Sequence, residues 1–312
     1  MKALVTGGAG FIGSNIANKL LEMGFSVRIL DDLSSGYRSN VPEKAEFIEG
    51  SVVDGDVTKE AAAGVDYIFH LAASVGNKRA IDNPISDATI NVLGTLNVLE
   101  AARATGVKKL VYSSSAGIFG ELKTIPIKED HPRDPDSPYG VSKLAAEKDC
   151  LAYMKLYGIP VVCLRYFNVF GVHQRFDAYG NVIPIFADRI LKGIPITIFG
   201  DGEQTRDFVN AKDVAQANIK SALSEATGVF NIGSASRITI NHLAELMMKV
   251  SEASVEIEYE PERSGDVRDS LADVSQARDA FGFEPSSDIE AGLKDYMSWI
   301  GTDPITRGRL GL

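Results

Sequence analysis

Cysteine is nearly absent from the 312-residue chain: the only two, Cys150 and Cys163, each sit inside an apolar segment. No metal-type spacing can be built from them, and they are expected to be buried thiols in a reducing compartment. Net positive charge is also missing. With 32 Lys and Arg against 42 Asp and Glu the formal charge is -10, which argues against nucleic acid or an anionic membrane as partner, because both need a basic surface. Any anionic ligand must therefore be held by a few local cations. No window approaches a membrane span. Met1-Lys2 runs straight into a strand-like segment, with no charged n-region, long apolar run or cleavage site, so a cytoplasmic protein is expected. Internal repeats and low-complexity segments are lacking too. What remains, 45% hydrophobic residues, 24% charged residues and 29 glycines, fits a soluble α/β protein with a sizeable core and many tight turns.

The glycines begin the pattern. Ala3-Leu4-Val5 reads as a short buried strand that empties into Thr6-Gly7-Gly8-Ala9-Gly10-Phe11-Ile12-Gly13, ahead of the helical pattern Ile16, Ala17, Leu20, Leu21. Glycines at 7, 10 and 13 permit a tight turn, close approach of backbone to a pyrophosphate, and close packing of helix on strand. The next strand, Ser26 to Leu30, ends in Asp31-Asp32. An acid there can accept hydrogen bonds from a ribose 2′-hydroxyl and repels a 2′-phosphate, which favours NAD over NADP. Asp31 can equally cap the turn Ser34-Ser35-Gly36. Phe47 to Gly50 and Asp66 to His70 read as the third and fourth strands. The small residues Leu71-Ala72-Ala73-Ser74 follow and leave room for a cofactor. His70, in an apolar strand, reads as a core residue and not a catalytic one.

A long helix is expected from Pro84 to Ala104, with Asn91 facing inward. Lys109 to Tyr112 reads as the fifth strand and delivers Ser113-Ser114-Ser115 to the carboxyl edge, where open α/β sheets bind ligands. After a polar, proline-bearing loop from Glu121 to Asp136, Ser137 and Pro138 read as the N-cap and first residue of a helix to Tyr157. On it Tyr139 and Lys143 stand four residues apart on one face. An ammonium beside a phenol favours the phenolate, so Tyr139 could shuttle a proton near neutral pH. The same spacing also occurs on any half-buried helix.

With Pro160 to Arg165 as a sixth strand, strands and helices alternate as far as residue 165, which predicts a doubly wound parallel sheet of the Rossmann kind. The rhythm then changes. Tyr166 to Gly171 leaves the sheet, a helix is expected over 182–191, a strand over 196–199, and helices over 211–223, 240–250 and 289–299. Residues 1–165, with a returning segment near 210–227, are assigned to a cofactor domain. Residues 166–209 and 228–312 are assigned to a smaller C-terminal substrate domain.

In order, Gly7-x-x-Gly10-x-x-Gly13, Asp31, Ser113 to Ser115, Tyr139-x-x-x-Lys143 and Arg165-Tyr166-Phe167-Asn168 resemble the extended short-chain dehydrogenase/reductase superfamily, and within it the UDP-sugar 4-epimerases. Gly200-Asp201-Gly202-x-x-x-Arg206-Asp207-Phe208 and Arg263-Ser264-Gly265-Asp266 carry the likeness over nearly the whole chain. The resemblance implies NAD, held by Gly7, Gly10, Phe11, Ile12, Gly13, Asp31, Asp32, Ser35, Gly36, Val52, Leu71, Ala72, Ala73, Asn91, Ser113, Tyr139, Lys143 and Tyr166, and no metal. It makes Tyr139 the acid/base, Lys143 the residue that binds the nicotinamide ribose and tunes Tyr139, and Ser115, with Ser114 beside it, the partner of the sugar O4. The UDP-sugar is expected to meet Asn168, Val182, Arg206, Arg263, Asp266 and Ser270, with the two arginines on its diphosphate. The implied reaction runs through a 4-keto sugar and transient NADH, the cofactor staying bound throughout.

Departures from the family pattern narrow the expectation. Related dehydratases place an acidic pair after the serine segment, whereas Ala116-Gly117-Ile118 holds no acid. Phe119 stands where a Tyr is common, and Ser51 where many relatives use Asp to bind the adenine amine. Ser270 falls where glucose-restricted relatives carry a bulky Tyr, so its small side chain points to UDP-GlcNAc/UDP-GalNAc, with UDP-Glc/UDP-Gal beside them. A UDP-glucuronate 4-epimerase or another nucleotide-sugar-modifying enzyme on the same fold, such as a decarboxylase or reductase, and a non-catalytic NAD(H)-binding regulator are the alternatives. By the same resemblance, the helices over 84–104 and 138–157 are expected to pair into a homodimer.

Overall fold

The computed structural model describes residues 1–176, 181–262, 267–286 and 288–311. In chain order the first half comprises β1 (Lys2–Thr6), α1 (Phe11–Glu22), β2 (Ser26–Asp31), β3 (Glu46–Glu49), α2 (Gly55–Ala62), β4 (Tyr67–His70), α3 (Asn77–Asp82), α4 (Pro84–Ala88), α5 (Gly94–Thr105), β5 (Lys109–Ser115), α6 (Pro138–Tyr157) and β6 (Val161–Tyr166). The second half adds β7 (Asn168–Phe170), α7 (Val182–Lys192), β8 (Ile196–Phe199), β9 (Thr205–Arg206), β10 (Phe208–Asn210), α8 (Ala211–Leu223), β11 (Gly228–Ile232), β12 (Ile238–Thr239), α9 (Ile240–Val250), β13 (Ile257–Glu260), α10 (Ser275–Phe281), α11 (Ile289–Thr302) and α12 (Pro304–Leu310). None of the described helices is long and apolar enough to cross a membrane.

The apolar runs of β1, β4, β5 and β6 are buried on both faces, as central parallel strands must be. They form a seven-stranded parallel sheet in the order β11-β6-β5-β4-β1-β2-β3. One face is covered by α1 and α8, whose Ile16, Leu20, Val214 and Ile219 share a core with Val5 and Val162. The other carries α2, α5 and α6, where Ala61, Val98, Leu99, Ala146 and the free thiols Cys150 and Cys163 close a second core. This is the doubly wound Rossmann sheet. A third core joins α7, α9 and α11 to β8.

Two expectations need correction. The return to the sheet does not stop at residue 227, because Gly228–Ile232 pairs in parallel with β6 as the seventh strand. The fifth strand does not stop at Tyr112 either. Its ladder continues through Ser113↔Leu164 to Ser115↔Tyr166, so the three serines obey strand alternation instead of forming a free turn.

Helix α6 starts and stops where its caps dictate. Ser137 Oγ accepts the Gly140 N–H at 3.2 Å, Pro138 takes the first position, and Gly158 ends it in the left-handed conformation at φ 69. The long helix expected over 84–104 runs from α4 to α5 through a π turn at Thr89–Leu93. Such a turn inserts one residue into the helical ladder, and it carries the inward-facing Asn91.

His70 is the core residue its setting implied, lying 2.7 Å from Thr6 Oγ1 and 3.0 Å from Thr95 Oγ1. Burial drives its pKa down to about 3, against about 6.5 in an unfolded chain. Between these values the unfolded chain binds a proton that the folded protein refuses. The resulting stability is present above pH 6.5 and is lost as pH falls toward 3. Urea unfolding at stepped pH should therefore show a shallower acid limb for His70→Gln than for the wild type, and parallel limbs would count against this assignment.

Candidate active site

The carboxyl ends of the central strands open into a cleft of about 1840 Å³ that reaches from the glycine turn to the C-terminal half. Single small-molecule sites occupy roughly 300–1,000 Å³, so this volume suits two ligands side by side.

At one end lies the first turn of α1. Gly10 is its N-cap and offers no side chain, and no acid occupies the first turn. The backbone N–H groups there, which no i−4 carbonyl can serve, are left for an anion. A Cβ on Gly13 would fall 2.2 Å from Gly7 O, so the turn closes only with glycine at that position. Asp31 Oδ2 accepts the Ala9 N–H at 2.9 Å and Oδ1 accepts the Leu33 N–H at 2.9 Å. It thus locks the glycine turn to the turn after β2 while facing the cleft. Burial raises its pKa, and the two N–H donors oppose the rise. A dinucleotide fits these parts: exposed N–H groups for its diphosphate, a carboxylate for its ribose, and small residues along the wall.

Of the residues expected to hold the cofactor, Gly7, Gly10, Phe11, Ile12, Gly13, Asp31, Asp32, Ser35, Val52, Leu71, Ala72, Ala73, Ser113, Tyr139, Lys143 and Tyr166 line the cleft, as does Ser51. Gly36 and Asn91 do not. Gly36 packs on the glycine turn, where a Cβ would lie 2.7 Å from the Ala9 carbonyl carbon. Asn91 sits behind the wall, accepting the Ser74 N–H at 2.8 Å and donating to Ser74 O at 3.0 Å and to Ser142 Oγ at 3.0 Å. Both support the cleft from outside. Tyr166 is held by Asn218, which donates to its hydroxyl at 2.8 Å.

Ser115 and Tyr139 meet in the middle of the cleft. A Cβ placed on Gly117 would lie 3.3 Å from Ser115 Oγ and 3.6 Å from Tyr139 Cε1, so the hydroxyl and the phenol ring flank that glycine together. Lys143 is buried behind them, its ammonium donating to Ser113 O and lying 4.4 Å from the centre of the Tyr112 ring. Burial lowers the Lys143 pKa to about 8. Burial also raises that of Tyr139, and the Ser115 hydroxyl offsets part of the rise. On balance burial keeps the Tyr139 pKa above its ordinary value, against the expectation that Lys143 brings it down. Ser114 is a second correction. In strand alternation it faces away from Ser113 and Ser115, and its hydroxyl donates to the buried Glu147 carboxylate at 2.7 Å. That bond engages its one proton, although Ser114 also borders the cleft.

Toward the C-terminal half, Asn168, Arg206 and Ser270 line the cleft. Asn168 Nδ2 donates to Asp207 O at 3.1 Å, and Arg206 donates to Thr205 O at 2.9 Å. Val182 is not part of the lining, although Asn181 and Pro184 beside it are. Arg263 and Asp266 lie outside the described residues. Sequence reading missed Lys78, Arg79, His173, Gln174 and Arg175, all in the lining, since none belongs to a spaced motif. It also missed Asp207, which was inside a quoted motif. Its carboxylate accepts from Ser234 N, Ser234 Oγ and Ala272 N and so fixes the segment that bears Ser270. Among the described residues no group of three His, Cys, Asp or Glu could hold a metal ion.

The model of the NAD dependent epimerase/dehydratase family matches residues 3–233. A UDP-glucose 4-epimerase of Mycolicibacterium smegmatis is 38% identical over 308 residues, covering 96% of this chain and 98% of its own length. Among solved structures, a UDP-glucose 4-epimerase of Thermotoga maritima with UDP-glucose superposes with a TM-score of 0.92 at 37% identity, covering 96% of this chain and 99% of that one. A UDP-N-acetylglucosamine 4-epimerase from Methanobrevibacter ruminantium M1, in complex with UDP-N-acetylmuramic acid, gives 0.93 at 37% identity over 96% of this chain and 98% of its own.

Proposed function

The chain belongs to the NAD-dependent epimerase/dehydratase family, and from that premise we propose that it inverts UDP-hexoses at C4. The observation that carries this reading is the meeting of Ser115 and Tyr139 inside a cleft large enough for a dinucleotide and a nucleotide sugar together. NAD, when bound, supplies reversible oxidation at the sugar C4. Tyr139 takes the O4 proton as that carbon becomes a ketone and returns it as the alcohol re-forms. Ser115 Oγ accepts the Gly117 N–H at 3.1 Å, and its hydroxyl, bonded to Tyr139, is placed to share O4 with the phenol. Lys143 offers a buried cation to the ribose next to Tyr139. With no acid at 116–118, the elimination run by a dehydratase is disfavoured.

Arg206 is assigned to the diphosphate of the UDP-sugar, since an acidic protein needs a charge-assisted donor there. Arg263 is expected to join it, with Asn168 nearby and Val182 and Asp266 toward the uridine. Ser270 is buried at the wall of the cleft, and its small side chain leaves room for an acetamido group. UDP-GlcNAc and UDP-GalNAc are therefore the proposed substrates, with UDP-Glc and UDP-Gal accepted as well. UDP-glucuronate is the second reading, because Lys78 and Arg79 also reach the cleft and a uronate needs a cation. The regulator reading is disfavoured because a sensor has no use for an intact proton path. The two free, buried thiols suit a reducing cytoplasm.

NMR of the purified protein with UDP-GlcNAc, UDP-Glc and UDP-GlcA in turn, without added NAD, tests substrate and retained cofactor together. Epimerisation of UDP-GlcNAc is expected in the wild type. In Tyr139→Phe turnover should fall by about 10²–10⁴-fold while UDP still binds, and Ser270→Tyr should lose the N-acetyl substrate but keep UDP-Glc. Equilibration of UDP-Gal with UDP-GalNAc untouched would remove the Ser270 assignment.

A homodimer is part of the same proposal. Ile85 (82% exposed), Leu93 (53%), Val141 (54%) and Leu156 (72%) form apolar outward positions on the helices of 84–105 and on α6, which pack against each other. Light scattering at micromolar concentration should give about twice the 33.6 kDa chain mass, and a monomeric mass would contradict it.

A further inference from the structure

Residues 171–176, which follow β7, are joined to both halves of the molecule. Toward the sheet, His173 Nδ1 lies 2.8 Å from Ser14 Oγ in the first turns of α1, Asn15 Nδ2 donates to Val172 O at 2.9 Å, and Arg175 donates to Ser35 O at 3.1 Å. Toward the C-terminal half, the His173 ring meets Trp299 of α11 edge-on at 5.7 Å, and the Tyr296 hydroxyl donates to Gln174 O at 3.1 Å. The segment thus runs from the anion-binding turn to the loop after β2, pinned from behind by α11. His173, Gln174 and Arg175 all line the cleft.

Two polar atoms of this segment have no hydrogen-bond partner among the described residues. His173 adopts φ 72, a left-handed conformation that costs a non-glycine residue roughly 1–3 kcal/mol and persists only where its surroundings over-determine it. The Phe11 carbonyl already accepts Asn15 Nδ2 at 2.9 Å, and Ser14 Oγ is nearer to His173 Nδ1 than to Phe11 O, 2.8 against 3.0 Å. The one Ser14 proton can serve Phe11 O or His173 Nδ1; an anion beside Nε2 selects the arrangement in which Ser14 donates to Nδ1 and the neutral ring, whose pKa burial lowers, carries its own proton on Nε2. Among the described residues Nε2 has no hydrogen-bond partner. The Gln174 side chain is only 6% exposed. Its amide must donate to Val169 O at 3.2 Å, which leaves Oε1 a fully enclosed acceptor with no partner among the described residues. A donor so placed at the cleft wall, beside the N-terminus of α1, matches a diphosphate bound there.

We propose that residues 171–176 are a strap across the dinucleotide, with His173 Nε2–H donating to its diphosphate. Cofactor retention then depends on α11 of the C-terminal half as well as on the glycine turn. The proposal rests on the NAD reading given above.

Trp299 is the only tryptophan in the chain, so its emission reports events at the strap. The test uses purified holoenzyme, wild type and His173→Asn, asparagine being a residue that tolerates left-handed φ. NAD loss is followed by Trp299 emission and by the NAD remaining after gel filtration, with UDP affinity measured in parallel. Loss of one hydrogen bond to a charged group predicts NAD release faster by about tenfold, with UDP affinity and the melting temperature of the NAD-stripped protein unchanged. Release at the wild-type rate overturns the strap, and so does weakened UDP binding with normal NAD retention. If His173→Asn does not fold, Ser14→Ala, which removes the hydroxyl that sets the tautomer, must speed NAD loss by about threefold. Wild-type retention in that variant also overturns the proposal. A wild-type protein that neither carries nor binds NAD would sink the reading of function itself.

Discussion

The bidentate pair between Glu147 and Arg165 is the contact on which the geometry of the cleft depends. Both side chains are fully buried. Arg165 donates to Glu147 at 2.9 Å and 2.7 Å and to Glu129 O at 2.7 Å, while Ser114 donates to the same carboxylate. The guanidinium lies 5.2 Å from the centre of the Phe119 ring. Desolvating two ions costs several kcal/mol each, and their attraction repays it only when every donor and acceptor is used. Here the pair ties α6 to β5, β6 and the loop before α6 at once. Tyr139 stands two turns before Glu147 on α6, and Ser115 follows Ser114 on β5. Their meeting is thus set by a contact on the far side of the strand from the cleft. The pair contributes register more than stability.

Asp207 plays the equivalent part in the C-terminal half. Fully buried, it gathers Ser234 N, Ser234 Oγ and Ala272 N around one carboxylate, while its own carbonyl receives Asn168. Arg206, Asn168 and Ser270 are brought to one wall by a single anion whose pKa burial raises and whose N–H donors hold it down. Each half therefore has a buried carboxylate that organises the residues facing the ligand without facing it.

How much of this could be read from the residues depended on whether the signal was local. Helix α6 was legible to its ends because Ser137, Pro138 and Gly158 are local punctuation. The glycine turn and Asp31 were legible because spacing alone carries them. Strand β11 was not, since a glycine and an asparagine within five residues disguise a strand whose only support is its pairing with β6. Ser114 was misplaced because the carboxyl end of β5 was drawn three residues short, and one strand residue more or less reverses which serine faces the cleft. The helix puts Lys143 one turn beyond Tyr139, yet its ammonium partner is a backbone carbonyl that no side-chain pattern announces. His173 and Gln174 carry no spacing at all, and only the orphaned Oε1 and the left-handed φ draw the eye to them.

The central claim is that Tyr139 and Ser115 invert a sugar carbon by removing and restoring the hydrogens of one C–H and one O–H bond inside the cleft, the hydrogen from carbon being held on the cofactor between the two steps. The most direct measurement is epimerisation of UDP-hexose deuterated at C4, followed by NMR in ordinary water. Full retention of deuterium at C4 in the epimerised product is predicted, because the hydrogen leaving carbon never meets solvent. Replacement of the label by solvent hydrogen during turnover would contradict the account.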